Sequence, residues 1–205
     1  AMVDPMMLIA LPSGLDLGIA ALVEPLAVGA HVLRRVGLEE GERVAVIGGG
    51  PIGLATTAML RDRGIEPVLF ARHDHQKAAG EALGARLVGE DGFDVVIDAV
   101  GTTASIAEAV QRIKPRGRIG LVGSLWEPAS LSKALCSKEV SIIAAAGYAG
   151  ATPDRDFDQA ARVLAEQPDI ADVLVTHRFP LDGAVEAFTT AEDRASGSIK
   201  VLFEV

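Results

Sequence analysis

The sequence RVAVIGGGPIGL, residues 43–54, decides the fold. Its first half is a β-branched apolar run, which is typical of a strand buried on both faces. Its second half places Gly48, Gly50 and Gly53 in the pattern G-x-G-x-x-G, immediately before a run with helical spacing. These glycines would allow, in that order, a tight turn, the approach of a pyrophosphate to the backbone, and close packing of the helix on the strand. The alternative is a glycine turn that serves packing alone.

The start of the predicted helix adds free backbone amides and the positive end of a helix dipole, which together bind phosphate groups. Proline is also favoured at the first position of a helix, and this sequence has it there. We therefore predict that a dinucleotide binds at this turn. The predicted binding residues of the turn are Gly48, Gly50, Pro51, Ile52 and Gly53.

Strand and helix patterns alternate along the chain, and this alternation predicts parallel pairing with right-handed crossovers. Strands are predicted at residues 43–50, 67–71, 86–88, 93–101, 118–123 and 140–147. Helices are predicted at residues 25–36, 51–63, 75–84 and 105–113. The fold class is therefore α/β, with a doubly wound parallel six-stranded Rossmann sheet. Only about six residues separate Arg86 from Phe93, which is too few for a parallel crossover, so the strand at 86–88 is expected to be vestigial or misplaced.

The chain divides into three predicted segments. Residues 1–15 form a leading segment, residues 16–178 form the dinucleotide-binding Rossmann domain, and residues 179–205 form a C-terminal helix and strand. The last part of the chain predicts a helix at 155–166, a strand at 172–179, a helix at 182–191 and a strand at 199–205. A chain of 205 residues with 49% hydrophobic residues suffices for one large domain with a small annex.

The composition excludes several classes of protein. The formal net charge of −9 argues against a nucleic-acid binder, because affinity for a phosphate backbone comes from clustered Lys and Arg. Cys136 is the single cysteine, so an internal disulfide is impossible and a reducing cytoplasm is the expected location. The apolar N-terminal stretch is interrupted by two prolines and an Asp, so neither a signal peptide nor a membrane anchor is expected.

The end of the second strand indicates which nucleotide binds. An NAD-specific fold carries an acidic residue there, about 20 residues after the glycine turn, and this residue bonds the ribose 2′-OH. This sequence has Ala71 at that position, followed by Arg72. A small side chain leaves room for a 2′-phosphate, a guanidinium binds it with two hydrogen bonds, and Lys77 could add charge. NADP(H) is therefore predicted over NAD(H), although Asp74 could serve the ribose of NAD(H) and Arg72 could be a solvated surface residue.

Several stretches together resemble the medium-chain dehydrogenase/reductase family, in particular its sorbitol, threonine and 2,3-butanediol dehydrogenase branch. They are LPSGL, ALVEPLAVGAHVLRR, GERVAVIGGGPIGL, SLWEPASL, THRFPLDGAVEAF and IKVLFEV. Proteins of this family have a GroES-like catalytic domain before the Rossmann domain. The resemblance therefore implies that residues 1–15 end a catalytic domain that is missing here, and that residues 179–205 return toward that domain.

The resemblance also implies a catalytic zinc in the full-length enzyme. Family members hold this zinc with a Cys and a His-Glu pair from the earlier domain, which this chain does not match, and Cys136 lies after the fifth strand. Glu24 matches the position at which this branch presents a carboxylate to zinc; the alternative is a helix-start carboxylate favoured by the dipole. No catalytic residue is assigned within this chain. His31 and His177 are candidates for proton transfer by residue type, and a structural role is favoured for both.

Other positions follow from the resemblance. Val100 would line the adenine pocket, and Val122 and Ala145 would place backbone groups at the nicotinamide carboxamide. Lys200 matches a basic residue that meets the pyrophosphate; the alternative is a surface lysine on an edge strand. Residues 140–147 would form the sheet edge through which family members form homodimers, and exposed apolar edges invite such pairing.

The implied function is hydride transfer between a secondary alcohol, or the matching ketone, and NADP(H), as in a zinc-dependent alcohol or polyol dehydrogenase. The chain by itself is expected to be inactive. Two alternatives stay open. One is a non-catalytic NADP(H)-binding module or redox sensor. The other is a zinc-independent quinone or enoyl reductase, whose glycine turn usually reads A-x-x-G-x-x-G, unlike GGGPIG here.

Overall fold

The computed structural model describes residues 8–148, 156–193 and 195–204 of the chain. The strands are β1 Val44–Ile47, β2 Val68–Phe70, β3 Phe93–Asp98, β4 Ile113–Leu121, β5 Ser141–Ala144, β6 Val175–Pro180 and β7 Lys200–Glu204. The helices are α1 Val23–Arg35, α2 Pro51–Asp62, α3 Asp74–Ala82, α4 Thr103–Arg112, α5 Lys133–Ser137, α6 Asp156–Glu166, α7 Asp169–Leu174 and α8 Ala184–Glu192. Part of the predicted leading segment, residues 1–7, lies outside the described residues, as does the predicted helix start at 155.

Strands β1 to β5 form one parallel sheet with the order β2-β1-β3-β4-β5. The prediction of an α/β fold with a doubly wound parallel sheet is therefore confirmed, but the prediction of six strands is wrong. The segment predicted as the third strand makes only an isolated bridge, in which Arg86 pairs with Val68 on the outer side of β2. The Leu69 amide donates to the Arg86 carbonyl at 2.8 Å, and the Arg86 amide donates to the Pro67 carbonyl at 2.9 Å.

The reason for the missing strand is the length of the connection to β3. From the outer side of β2 the chain must cross both β2 and β1 to reach the position of β3, and the few residues after Arg86 leave no length for a longer strand. Arg43, just before β1, holds this connection in place: its guanidinium donates to the Glu90 carbonyl at 2.7 Å. The same guanidinium carbon lies 5.1 Å from the centre of the Phe93 ring.

The two faces of the sheet carry separate hydrophobic clusters, as the alternation of side chains along β1 requires. Val44 and Val46 point into the larger cluster, which they share with helices α1, α2, α6 and α7. Ala45 and Ile47 point into the smaller one, which is closed by α4. Helix α1 is buried over most of its length and packs closely on α2, since a Cβ on Gly29 would lie 3.0 Å from the Cα of Thr56.

The C-terminal part departs from its predicted pattern. Residues 172–174, predicted as the start of a strand, complete helix α7 instead, because Ile170, Ala171 and Leu174 are buried at helical spacing. Strand β6 pairs in parallel with β7, and these two strands form a sheet of their own. Strand β4 also begins earlier than predicted, at Ile113 rather than at residue 118. Within the described ranges, every helix is too short or too polar to cross a membrane.

Candidate nucleotide-binding site

The turn between β1 and α2 gives each motif glycine a different environment. Gly48 has a φ angle of +104°, in the left-handed region that favours glycine. A Cβ on Gly53 would lie 1.8 Å from the Gly48 carbonyl oxygen, so α2 can pack this closely on the turn only with a glycine there. A Cβ on Gly50 would have no neighbour within 4 Å, so the backbone at this position faces open space.

Helix α2 begins directly at this open position. Gly50 is extended, with φ −79° and ψ −178°, and Pro51 is the first helical residue. The first intrahelical bond runs from the Leu54 amide to the Gly50 carbonyl at 3.0 Å. The preceding amides of the first turn have no intrahelical carbonyl to bind. They and the positive end of the helix dipole therefore offer a site for an anion.

The end of β2 lies beside the turn and carries no carboxylate. Ala71 is half-buried, and its Cβ lies 2.8 Å from where a Cβ on Gly49 would stand, so the strand end packs directly on the turn. Arg72 is exposed. The Lys77 ammonium donates to a carboxylate oxygen of Asp74 at 2.9 Å, and this bond is the main reason that the pKa of Asp74 lies below its usual range.

The end of β3 is organised by Asp98, whose carboxylate is fully buried. One carboxylate oxygen accepts from the amides of Val100 and Gly101 at 2.9 and 3.1 Å. The other accepts from the Ser105 hydroxyl at 2.9 Å. Asp98 therefore fixes the loop that leads into α4 and holds Val100 against the glycine turn, where a Cβ on Gly48 would lie 2.7 Å from a Val100 methyl.

A second close approach joins the loops after β3 and β4. A Cβ on Gly101 would lie 2.6 Å from the carbonyl of Gly123, and a Cβ on Gly123 would lie 2.3 Å from the Gly101 amide nitrogen. The backbone segments that follow β3 and β4 are therefore packed tightly against each other at the carboxyl edge of the sheet. This edge is where α/β sheets bind their ligands.

These elements enclose a cavity of about 580 Å³. It is lined by the glycine turn, the end of β2, the start of α3, the first turns of α4 and two residues near the C-terminus, Ala191 and Ser198. The sequence-predicted cofactor residues that line it are Gly48, Gly50, Ala71, Arg72, Lys77 and Val100. The structure therefore brings together residues from the predicted turn and the predicted strand end.

The remaining predicted cofactor residues lie outside this lining. Pro51, Ile52 and Gly53 form the first turn of α2. Val122 and Ala145 follow β4 and β5 at the carboxyl edge, where their amides donate to the carbonyls of Asp98 at 3.0 Å and of Leu121 at 2.9 Å. Lys200 begins β7, two residues after Ser198.

His31 and His177, the candidates for proton transfer by residue type for which a structural role was favoured, do not line the cavity. A ring nitrogen of His31 lies 2.8 Å from a carboxylate oxygen of the buried Asp156, which also accepts from the Arg34 guanidinium at 2.9 and 3.0 Å. The hydrogen bonding of the Arg34 guanidinium to Asp156 raises the pKa of Arg34. His177 lies on β6, with a ring nitrogen 3.0 Å from the Thr176 hydroxyl.

The structure offers no zinc site within the part of the chain that it describes. Glu24 lies in the first turn of α1 and is exposed. Cys136, on α5, is also exposed. Among the described residues, no three His, Cys, Asp or Glu side chains are grouped so that they could hold a metal ion. A single carboxylate does not supply the three or four ligands that zinc takes.

The residues of the site region that were not predicted from the sequence include Asp98, Ser105, Glu108 and Ser198. Thr102 and Ser105 form a capping box at the start of α4, and their spacing directly after a strand was the available signal. Glu108 lines the cavity from α4 and is paired with the Arg112 guanidinium at 2.8 Å. Nothing in the local sequence connects Ser198 with the glycine turn.

The strand order and the parallel pairing define a Rossmann-type α/β protein, and comparison with known proteins specifies the family. The sequence model of the family described as "Glucose dehydrogenase C-terminus" matches residues 18–205. L-galactonate-5-dehydrogenase of Escherichia coli is 31% identical over 191 residues, which cover 85% of this chain and 55% of that protein. Sorbitol dehydrogenase of Ovis aries is 31% identical, over 89% of this chain and 56% of that protein.

Two solved structures agree with this result. The crystal structure of 2R,3R-butanediol dehydrogenase from Bacillus subtilis has a TM-score of 0.82 at 25% identity, over 95% of this chain and 60% of that chain. A putative zinc-binding dehydrogenase from Sinorhizobium meliloti, solved bound to NADP, has a TM-score of 0.80 at 26% identity, over 95% of this chain and 61% of that chain.

The chain belongs to the zinc-type medium-chain dehydrogenase/reductase family and corresponds to its C-terminal, cofactor-binding part. This confirms the resemblance on which the sequence analysis relied. The chain spans 55% to 56% of the length of the two relatives above. The activity of a whole protein of this family is therefore a matter of proposal for this chain.

Proposed function

We propose that this chain is the NADP(H)-binding part of an alcohol or polyol dehydrogenase, which transfers hydride between a secondary alcohol, or the matching ketone, and the nicotinamide. The names of the relatives indicate that they act on small polyols and sugar acids. This favours the same substrate class over quinones or enoyl thioesters. The observation that carries the choice of nucleotide is the end of β2, where a small residue and an arginine stand at the cavity in place of a carboxylate.

The residues fit a dinucleotide. The open backbone at Gly50 gives a pyrophosphate room to approach, and the first turn of α2 supplies amide donors. Ala71 leaves space beside the ribose, and Arg72 carries a charge of the sign that a 2′-phosphate needs. A solved relative at 26% identity was obtained with NADP bound, which supports the same nucleotide here.

In the proposed reaction, the bound nicotinamide supplies the hydride donor or acceptor. The chain's own residues hold the nucleotide rather than react with the substrate. The tight packing of Gly53 on Gly48 fixes the start of α2, and the buried Asp98 fixes the loop that carries Val100. Rigid placement of this kind keeps a cofactor's reactive atom in position for transfer.

The described residues do not fit a zinc ion, since Glu24 stands alone as an exposed carboxylate. We therefore derive no step through zinc. Glu24 is a candidate metal ligand only when another domain supplies the remaining ligands.

We also propose that two copies of the chain associate through β5. This strand is the last of the sheet, and its Ile142 and Ile143 are half-buried. An edge strand offers unpaired backbone groups to a second strand, and apolar side chains strengthen such pairing. We expect a homodimer by light scattering. A monomer at high protein concentration would contradict this proposal.

The choice of nucleotide is tested by calorimetric titration of the chain with NADP⁺ and with NAD⁺. We expect NADP⁺ to bind at least about tenfold tighter, which corresponds to about 1.4 kcal/mol. Arg72→Ala should remove most of this difference and leave the affinity for NAD⁺ unchanged. Arg86→Ala is the matched control. Arg86 is also an exposed arginine, but it lies beside the amino end of β2, whereas Arg72 follows the carboxyl end of that strand. Equal affinities of the wild-type chain for the two nucleotides would refute the proposed preference.

A further inference from the structure

Two histidines flank the predicted 2′-phosphate position, and their side chains have no assigned role. His73 and His75 both line the nucleotide cavity, together with Arg72. Their rings are stacked, with centres 5.5 Å apart and planes at 15°. His73 immediately precedes α3, and His75 is its second residue. The segment that would meet the 2′-phosphate therefore carries two groups that can become positively charged as the pH falls.

The charged surroundings of this pair can be listed element by element. On the same segment, Arg72 and Lys77 are basic, and Asp74 is engaged by the Lys77 ammonium. From α4, Glu108 faces the same cavity, but its carboxylate is held by the Arg112 guanidinium. The other described residues that line the cavity carry no formal charge. A net excess of positive charge therefore surrounds the ring pair once a histidine is protonated.

We propose that His73 and His75 complete the 2′-phosphate subsite, and that uptake of a proton by this pair makes the preference for NADP(H) over NAD(H) increase from pH 8 to pH 6.5. This inference rests on the proposed function, because it requires that NADP(H) be the preferred nucleotide.

The physical basis is the linkage between proton binding and anion binding. Imidazole is the side chain that ordinarily changes charge between pH 5 and 8. Two stacked rings with centres 5.5 Å apart repel each other when both are charged. A phosphate dianion beside the rings relieves that repulsion and favours the protonated form. By reciprocity, protonation then favours the phosphate.

The phosphate itself limits the range in which this effect can be seen. A phosphate monoester gains its second proton near pH 6, which weakens its attraction to cations below that pH. Between pH 8 and pH 6.5 the ester stays mainly dianionic, so a change in its affinity reports on the protein. NAD⁺ lacks the ester and serves as the matched ligand.

The test is calorimetric titration of the 205-residue chain with NADP⁺ and NAD⁺ at pH 8.0, 7.2 and 6.5. Titrations in two buffers of different ionisation heat also give the number of protons taken up. We expect the ratio of the two affinities to rise about three- to tenfold as the pH falls, with net proton uptake on NADP⁺ binding. In the double variant His73→Gln/His75→Gln, the ratio should stay constant and the uptake should disappear. His177→Gln is the control histidine, because it lies on β6 outside the cavity.

The outcomes separate this inference from the proposed function. If the wild-type chain prefers NADP⁺ and Arg72→Ala abolishes the preference, but the ratio does not change with pH, the inference fails and the proposed function stands. A pH dependence that persists in the double variant also overturns the inference. If the wild-type chain shows no preference at any pH, both fail.

Discussion

Each edge of the parallel sheet carries a cavity, and the smaller cavity is the candidate nucleotide site. The cavity at the carboxyl edge has about 580 Å³. The one at the amino edge has about 940 Å³, and it is lined by residues of both charges, among them Arg63, Arg86, Glu66 and Glu90. Helix α2 begins at the first edge, directly after Gly50 of the cavity lining, and ends at the second, so its N-terminus lies beside the smaller cavity. The direction of the helices, rather than the volume of the cavity, decides which edge can hold a phosphate.

The glycines at the two edges differ for a related reason. At the carboxyl edge, Gly53, Gly101 and Gly123 are needed because other backbone atoms occupy the space of a side chain. At the amino edge, Gly41 and Gly64 have φ angles of +81° and +69°, but a Cβ on either would have no neighbour within 4 Å. The glycines at the carboxyl edge allow two backbone segments to approach closely, whereas those at the amino edge only allow the chain to reverse direction.

The largest effect is expected for Gly53→Ala. Its Cβ would lie 1.8 Å from the Gly48 carbonyl oxygen, which is backbone and cannot rotate away. We expect the free energy of unfolding to fall by at least about 3 kcal/mol, measured by urea denaturation. Gly50→Ala is the control, since its Cβ meets open space, and it should cost less than about 1 kcal/mol while weakening nucleotide binding. If the Gly53→Ala chain were as stable as wild type, the glycines at the carboxyl edge would not be required by close backbone packing.

The next effect concerns the buried carboxylate of Asp98. Asp98→Ala leaves the Val100 and Gly101 amides without their acceptor, and we expect a loss of about 3 kcal/mol in the free energy of unfolding. Ser105→Ala removes one of the donors to Asp98 and the hydroxyl that accepts from the Thr102 amide in the capping box, and it should cost less, about 1.5 kcal/mol. Chemical denaturation of both variants checks the difference. Equal losses would mean that Asp98 does not organise this loop.

A charge change at the end of β2 should affect binding more than folding. Ala71→Asp restores the carboxylate that an NAD-specific fold carries and would repel a 2′-phosphate. We expect the affinity for NADP⁺ to fall at least about tenfold, or about 1.4 kcal/mol, and the affinity for NAD⁺ to be retained or increased. Ala71→Ser adds a polar group without charge and is the control. The proposal for this strand end would be wrong if Ala71→Asp bound NADP⁺ as tightly as wild type.

A smaller effect is expected at the amino edge for Gly64→Ala. The Cβ has space, so the cost is that of a left-handed backbone, about 1 kcal/mol. Affinities for both nucleotides should stay unchanged, because the residue lies at the opposite edge from the cavity. A loss of nucleotide affinity in a folded Gly64→Ala chain would show that the two edges are coupled.

The smallest effect is expected for Asp94→Asn. Burial works to raise the pKa of Asp94, but hydrogen bonds from the Lys114 ammonium and the Arg43 amide outweigh it, so the pKa lies below its usual range. A lowered pKa stabilises the fold above the pH at which the unfolded carboxyl titrates, near pH 4, and this contribution is lost at lower pH. Asp94→Asn should therefore cost up to about 1 kcal/mol at pH 7, and the difference from wild type should shrink below pH 4. A difference that does not change with pH would contradict this origin.

Local patterns in the sequence predicted the parts of the fold that depend on consecutive residues. The β1 strand, its glycine turn and helix α2 were predicted in this way, because their φ and ψ angles and their burial follow from neighbouring residues. The third strand at 86–88 was predicted from the same kind of pattern but was expected to be vestigial, and in the structure it is reduced to one isolated bridge. Its residues have the right composition, but the connection to β3 is too short to let them pair further.

The residues of the candidate site divide in the same way. Ala71 and Arg72 were found from their spacing to the glycine turn, and both line the cavity. The bond between Asp98 and Ser105 was not predicted, because which buried polar groups meet depends on the turn between them. Ser198 could not be found at all, since it reaches the cavity from the far end of the chain.

The sequence by itself determined the α/β class, the glycine turn and the absence of a carboxylate at the end of β2, because each is a property of a short run of residues. The tertiary structure decided that the sheet has five strands, that β6 pairs with β7, and that the site opens at the carboxyl edge beside a stacked pair of histidines. These features depend on which distant segments meet. The space left by neighbouring backbone sets those meetings, and it is not written in any local pattern.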